Sequence, residues 1–105
     1  MDQPLASVHP GDILREEFLT PLEITPYRLE KDIGVPATRI AAILARRRGV
    51  TADTALRLGR YFGTSAELWL NLQATFELQE ARALGMEAEL SRIHPVSARE
   101  ERVPA

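Results

Sequence analysis

Three consecutive arginines, Arg46, Arg47 and Arg48, have the most distinctive chemistry in this sequence. A guanidinium donates paired hydrogen bonds to oxyanions, so clustered arginines are suited to binding phosphate. They lie in the only basic part of a chain whose net charge is −2: residues 26–62 contain eight basic and three acidic side chains, and both flanking parts are acidic. A patch of solvated charges is the alternative. The distribution favours a local binding site for a polyanion.

A face of small and polar residues precedes the arginines. Between Pro36 and Ala45, three apolar residues (Ile40, Ile43 and Leu44) recur at helical spacing and are predicted to point inward. The remaining residues then form an outer face that is rich in alanine, with Thr38 on it and Arg39 on its flank. Alanine methyls can contact thymine methyls, and Thr38 and Arg39 can hydrogen-bond base edges or phosphates. Helix propensity alone explains the alanines but not their placement on one face.

A helix-turn-helix unit, residues 25–45, is predicted to position these groups. Thr25 and Pro26 have the residue types of an N-cap and a first helical position, and Gly34 suits the left-handed conformation that ends a helix. Because the next helix starts at Pro36, the short connection predicts a steep crossing of the two helices. An ordinary helical hairpin is the alternative. The second helix of such a unit enters the DNA major groove, and the start of the first can hold a phosphate.

The predicted DNA contacts come from the two helices and the arginines after them. They are Thr25, Tyr27, Pro36, Ala37, Thr38, Arg39, Ala42, Arg46, Arg47 and Arg48.

The rest of the chain also predicts helices and no strand. One begins near Pro10 and is expected to stop at Pro21, one runs from Thr51 to Gly63, and one runs about five turns from Thr64 or Ser65 to Gly85. A weaker helix follows, and the tail is expected to be disordered at its end. We therefore predict an all-α chain with a DNA-binding domain over residues 9–84 and a C-terminal extension over residues 85–105.

The longest of these helices predicts a dimer. Trp69 is expected in the core, and an anchor for a partner is the alternative; Leu68, Leu72 and Phe76 form one apolar row of this helix. A second apolar row lies about 160° away, and a small domain cannot bury both rows. The second row is predicted to be a homodimer interface, and the alternative is cover by the C-terminal segment. Its residues are Leu70, Ala74 and Leu78.

Other function classes find little support. The chain has no cysteine, which excludes disulfides and thiolate chemistry and permits the cytoplasmic location that we expect. No apolar run is long enough to span a membrane, and the N-terminus does not have the pattern of a signal peptide. His9 and His94 have no metal-ligand spacing, and His9 is expected to help cap the first helix. We predict no enzyme activity, no metal and no cofactor.

Four blocks of sequence resemble the HigA-type antitoxins of the lambda-repressor-like (Xre) helix-turn-helix family. They are HPGDILREEFL, GVPATRI, RRRGVTADTALRLGRYFGTS and WLNLQ, within residues 9–79. The resemblance implies a five-helix DNA-binding domain that forms a homodimer on a palindromic operator. It also implies a partner, a HigB-like toxin that cleaves mRNA, which the antitoxin binds and neutralises while repressing the shared operon.

The sequence departs from the family pattern at several positions. Glu30 stands where alanine is usual, so its carboxylate must reach solvent or pair, for example with Arg39. Ala41 and Ala42 stand where relatives often have polar residues, and Arg46 stands where glycine is frequent. Two other functions remain open at this point: a regulator of the same fold without a toxin, and a protein-binding module that no longer reads DNA.

Overall fold

The computed structural model describes residues 8–96, and the regular structure in this part of the chain is entirely helical. Helix α1 consists of three consecutive segments, Pro10–Ile13, the π-helical Leu14–Leu19 and Thr20–Leu22. The helices that follow are α2 (Pro26–Ile33), α3 (Ala37–Leu44), α4 (Ala52–Phe62), α5 (Ala66–Ala83) and α6 (Met86–Leu90). The predicted fold, five helices followed by a short extension, is confirmed.

Local sequence explains where most of these helices begin and end. Thr25, Thr51 and Ser65 each accept a hydrogen bond from the backbone N–H three residues further on, at the starts of α2, α4 and α5. These bonds satisfy amides that have no partner inside the helix. Gly34 closes α2 in the left-handed region, at φ 72°.

The end of α1 differs from the sequence prediction. Pro21 does not stop the helix, which continues to Leu22 and ends at Glu23, whose φ is 55°. The turn before the proline is π-helical, and the Thr20 N–H bonds the Arg15 carbonyl five residues back. A proline breaks the i→i−4 backbone hydrogen bonds of an α-helix, and these bonds are already interrupted by the π-helical turn before Pro21.

The core lies where α1, the helix-turn-helix unit, α4 and α5 meet. Trp69 is fully buried, as predicted, and its Nε1–H donates to the Thr64 hydroxyl at 2.9 Å. The Phe18 ring of α1 packs against it, with ring centroids 5.4 Å apart. The residues whose side chains complete this core are Leu14, Leu19, Leu29, Ile33, Val35, Ile40, Ile43, Leu44, Val50, Ala55 and Leu58.

The C-terminal part leaves this core. After α5 the chain turns at Gly85, whose φ is 93°, and enters α6. The expectation of a disordered tail end concerns residues 97–105, which lie outside the described residues, as do residues 1–7. The division of the chain at residue 85 stays a prediction.

Candidate nucleic-acid interface

The outer face of α3 is open to solvent, as its sequence predicts. Ile40, Ile43 and Leu44 are buried, so the helix is anchored along one side. Its opposite side presents small residues and one hydroxyl, a surface that can approach a groove floor closely. The exposed residues are Pro36, Ala37, Thr38, Ala41 and Ala45, and Ala42 is partly exposed.

Thr25 and Tyr27 lie at the exposed start of α2. The Thr25 hydroxyl accepts a hydrogen bond from the Arg28 N–H at 3.0 Å, which leaves its own O–H able to donate. Tyr27 is 66% exposed. Thr25 and Pro26 line one surface groove with Leu44, so the start of α2 lies beside the end of α3. Two segments that are distant in sequence therefore contribute to the same surface.

Arg39 is held at the side of α3 by an acidic residue of α4. Its Nη1 lies 3.7 Å from the Asp53 carboxylate, to which Arg57 also bonds at 3.1 Å. The pairing of Arg39 with Glu30 that the sequence suggested is wrong, because Asp53 at the start of α4 takes that place. The Arg39 Nε is buried and has no hydrogen-bond partner in the described part of the chain.

The turn between α2 and α3 is fixed from α4. Arg57 Nη1 donates to the Ile33 carbonyl at 2.8 Å, which satisfies an acceptor at the end of α2. Nearby, the Tyr61 hydroxyl donates to Asp32, and this bond holds the pKa of Asp32 below its usual value and raises that of Tyr61. Arg28 adds a bond to Asp32 at 2.9 Å. The helix-turn-helix unit is thus braced by α4 along its outer edge.

The arginines enter a loop, residues 45–50, that we call the arginine loop. Arg46 adopts φ 64°, its N–H bonds the Ile43 carbonyl, and the Arg47 N–H bonds the Ala42 carbonyl. This is the Schellman ending of a helix, in which the left-handed position is usually glycine. Arg46 therefore holds a backbone conformation that is unfavourable for a residue with a Cβ.

The three arginine side chains do not share one environment. Arg46 lies 3.5 Å from the Asp12 carboxylate and 6.0 Å from the centre of the Phe76 ring. Arg47 and Arg48 are exposed, and neither forms an ion pair within residues 8–96. A phosphate contact by Arg46 stays a prediction, and it would compete with the ion pair to Asp12. Arg47 and Arg48 meet no such competition.

Sequence reasoning missed how the first turn of α1 supports the end of α3. Gly11 approaches Ile43 so closely that a Cβ on Gly11 would overlap the Ile43 carbonyl oxygen. Arg15 Nη2 donates to the Leu44 carbonyl at 3.0 Å and caps the same helix end. The available signal was Gly11 in the first turn of a predicted helix, since glycine lowers helix propensity there and permits a close approach of another backbone.

His9 caps α1, as the sequence predicts. Its Nδ1 accepts a hydrogen bond from the Gly11 N–H at 2.9 Å, and its own N–H donates to the Asp12 carboxylate at 3.3 Å. The ring is almost completely buried, and burial lowers the pKa of His9. Asp12 and the Arg48 backbone oppose this shift, whereas Arg46 adds to it.

The predicted dimer row on α5 is open in the single chain. Leu70 is 37% exposed, Leu78 is 54% exposed, and Ala74 is also exposed. Neither α6 nor the chain up to residue 96 covers these residues, so the C-terminal segment, as far as it is described, does not take the place of a partner. Dimer formation through this row stays a prediction.

Two negative results apply to residues 8–96. No group of three or more histidine, aspartate or glutamate side chains is arranged to hold a metal ion. No helix in this range has the length and apolar content needed to cross a membrane.

Comparison with known proteins identifies the family. No protein-family model matches the chain. It is 48% identical over 77 residues to virulence-associated protein I of Dichelobacter nodosus, which covers 73% of this chain and 71% of the relative. It is 34% identical over 73 residues to antitoxin HigA-1 of Vibrio cholerae, with coverages of 69% and 68%.

A solved structure extends this agreement to the fold. The Pseudomonas aeruginosa antitoxin HigA, determined with the higBA promoter, matches with a TM-score of 0.80 and 42% identity over 86% of this chain and 98% of that one. Fold, helix-turn-helix geometry and sequence therefore agree, and the chain belongs to the HigA-type antitoxins of the lambda-repressor-like (Xre) helix-turn-helix family, which are DNA-binding transcription regulators and not enzymes.

Proposed function

We propose that this protein binds a palindromic operator as a homodimer and represses its own operon, with α3 of each protomer in the major groove. The observation that carries this proposal is the exposed face of α3, which is followed in the arginine loop by the exposed Arg47 and Arg48. Thr38 would read base edges, Arg39 would do so in competition with its ion pair to Asp53, and alanine methyls would contact thymine. Arg47 and Arg48, and Thr25 and Tyr27 at the start of α2, would bind the DNA backbone and set the orientation.

The salt dependence of DNA binding tests this assignment. Each phosphate contact contributes about −0.9 to the slope of log K against log salt. Arg47 and Arg48 of two protomers would give about four contacts and a slope near −3.6, and engagement of Arg46 as well would bring the slope to about −5. The probe is a DNA duplex from immediately upstream of the gene, measured by fluorescence anisotropy. Absence of binding at low salt would contradict the repressor function.

Substitutions separate the two groups of contacts. Arg47→Ala should weaken binding to all sequences and flatten the slope, because a phosphate contact carries no sequence information. Thr38→Ala should change the preference among operator variants and leave the slope unaltered. Equal effects of Arg47→Ala and Thr38→Ala on the slope would contradict this division.

The dimer interface is tested in the absence of DNA. We propose that Leu70, Ala74 and Leu78 form it, since all three are exposed on one row of α5. Leu78→Glu places a charge in this row and should convert the dimer into a monomer, because the apolar interface would then bury an unpaired carboxylate. The molar mass measured by light scattering reports the change. The Leu84→Glu variant is the control, since Leu84 is 85% exposed at the end of α5.

We also propose that the protein is the antitoxin of a HigB-like mRNA-cleaving toxin, which it neutralises by binding. This part is supported by the family to which the chain belongs. The test is co-expression with the neighbouring reading frame. Co-purification of the two proteins, and relief of growth arrest by the antitoxin, are the expected results. A neighbour that neither binds nor arrests growth would leave a regulator without a toxin.

A further inference from the structure

Two side chains from different helices lie against the backbone of the arginine loop. We propose that His9, at the start of α1, and Gln73, in the middle of α5, are positioning residues that fix this loop so that Arg47 and Arg48 face the DNA backbone. This inference rests on the proposed DNA contacts and goes beyond them, because neither residue would touch DNA.

Gln73 secures the far end of the loop. Its Oε1 accepts a hydrogen bond from the Val50 N–H at 2.9 Å, and its Nε2 donates to Glu77 Oε2 at 2.8 Å. The second bond fixes which end of the amide faces the loop, since only the oxygen can accept. Gly49 is packed so closely that a Cβ there would overlap the Gln73 amide.

His9 lies beside the middle of the loop. Its Nδ1 accepts from the Gly11 N–H, so Nε2 carries the proton of the neutral ring, and the ring is close to the Arg48 backbone. The edge of the ring packs against Phe76 of α5, with centroids 4.8 Å apart. The same Phe76 ring lies under the Arg46 guanidinium. Thus α1 and α5 hold the loop jointly.

The consequence for binding follows from distance. A charge-assisted hydrogen bond to phosphate requires about 2.7–2.9 Å between heavy atoms, so a displaced loop keeps it only by restricting the side-chain rotamers of Arg47 and Arg48 and binds more weakly. Gln73 is also adjacent to Ala74 in the proposed dimer row. In the proposed dimer, α5 would fix the distance between the two protomers and so between the DNA half-sites they bind. The contact of Gln73 with Val50 therefore sets the position of the arginines relative to that helix.

Gln73→Leu tests the contact from α5. It preserves size and removes the acceptor for the Val50 N–H. We expect about a hundredfold weaker binding of the dimer to the upstream duplex, about tenfold for each protomer as is typical of one charge-assisted hydrogen bond, and a flatter salt slope. The double exchange Gln73→Glu with Glu77→Gln leaves the net charge unchanged. The carboxylate at position 73 can accept from the Val50 N–H, and the amide at position 77 can donate to that carboxylate. The double exchange should restore most of the affinity and the slope.

His9→Asn tests the contact from α1. Asparagine is a good N-cap, so the start of α1 is retained, while the ring is lost together with its packing between Phe76 and the Arg48 backbone. We again expect weaker binding and a flatter slope. All variants are measured well below their melting temperatures, with circular dichroism and light scattering to establish that helix content and oligomeric state are unchanged.

Arg47→Ala, measured in parallel, separates the two hypotheses. If Arg47→Ala has no effect on affinity or slope, the proposed phosphate contacts fail. If Arg47→Ala weakens binding but Gln73→Leu and His9→Asn bind with the wild-type affinity and slope, the positioning role is overturned. A lowered melting temperature without any change in slope also overturns it, because a purely structural role has that signature. Should Gln73→Leu not fold, His9→Asn and the double exchange decide.

Discussion

Gly11→Ala gives the most direct test of how α1 positions the recognition helix α3. Helix propensity alone predicts that alanine at this position stabilises the protein by up to about 1 kcal/mol. The structure predicts the opposite, since the new methyl would overlap the Ile43 carbonyl oxygen and its carbon would lie 3.0 Å from the carbonyl carbon of Ile43. Neither atom belongs to a flexible side chain, so α1 and α3 must separate.

The magnitude follows from the two opposing contributions. Forcing an extra methyl into a well-packed contact costs about 1–3 kcal/mol, and a backbone neighbour places this case near the upper end. After subtraction of the propensity gain, the net loss is about 2 kcal/mol. For a domain of this size, that lowers the melting temperature by roughly 8–16 °C. DNA affinity should fall as well, because the displaced end of α3 carries the arginine loop.

The assay is thermal and urea unfolding followed by circular dichroism, combined with anisotropy on the upstream duplex. Gly63→Ala is the control: a Cβ there meets no atom within 4 Å, and its φ of 76° costs about 1 kcal/mol without involving α3. The control should lose some stability and keep its DNA affinity. A melting temperature of Gly11→Ala equal to or above that of the wild type would refute the close-approach argument.

Three further predictions follow from particular contacts. Burial lowers the pKa of His9, so below about pH 6.5 the unfolded chain binds a proton on this ring more readily than the folded chain does. The melting temperature of the wild type should therefore exceed that of His9→Asn by less as pH falls from 7.5 to 5. Melting temperatures of the two proteins that change in parallel with pH would contradict this. Arg46→Gly removes the cost of a left-handed residue with a Cβ, about 1–2 kcal/mol, and also removes an exposed ion pair with Asp12 that is worth at most about 1 kcal/mol. Urea unfolding should therefore show a slightly larger free energy of unfolding. A clearly smaller free energy of unfolding would mean that the Asp12 pair dominates. Trp69→Phe removes the donor to the Thr64 hydroxyl and also part of a fully buried ring, so it should cost at least about 1–3 kcal/mol in the same assay. Unchanged stability would assign neither the bond nor the lost packing a net value.

Much of the fold is encoded in local sequence signals. The caps at Thr25, Thr51 and Ser65 and the left-handed Gly34 follow from residue type, because each satisfies backbone groups within a few residues. The inward and outward faces of α3 follow from helical periodicity, which is a local property. The prediction that α1 stops at Pro21 was wrong. Proline is a strong sequence signal for the end of a helix, whereas the π-helical turn that allows this helix to continue has no comparable sequence signal.

What the tertiary structure alone decided is how distant segments meet. The sequence identified three arginines, but only the fold separates Arg46, drawn towards Asp12 and Phe76, from Arg47 and Arg48, which remain exposed. It likewise brings Asp53 to Arg39 in place of Glu30, and Gln73 to Val50 across 23 residues. Periodicity and capping act within a few residues along the chain, whereas these partners are chosen by how the helices pack. The sequence by itself determined the helices, their faces and the basic surface, and the packing of α1 and α5 against the arginine loop determined which arginine side chains remain exposed.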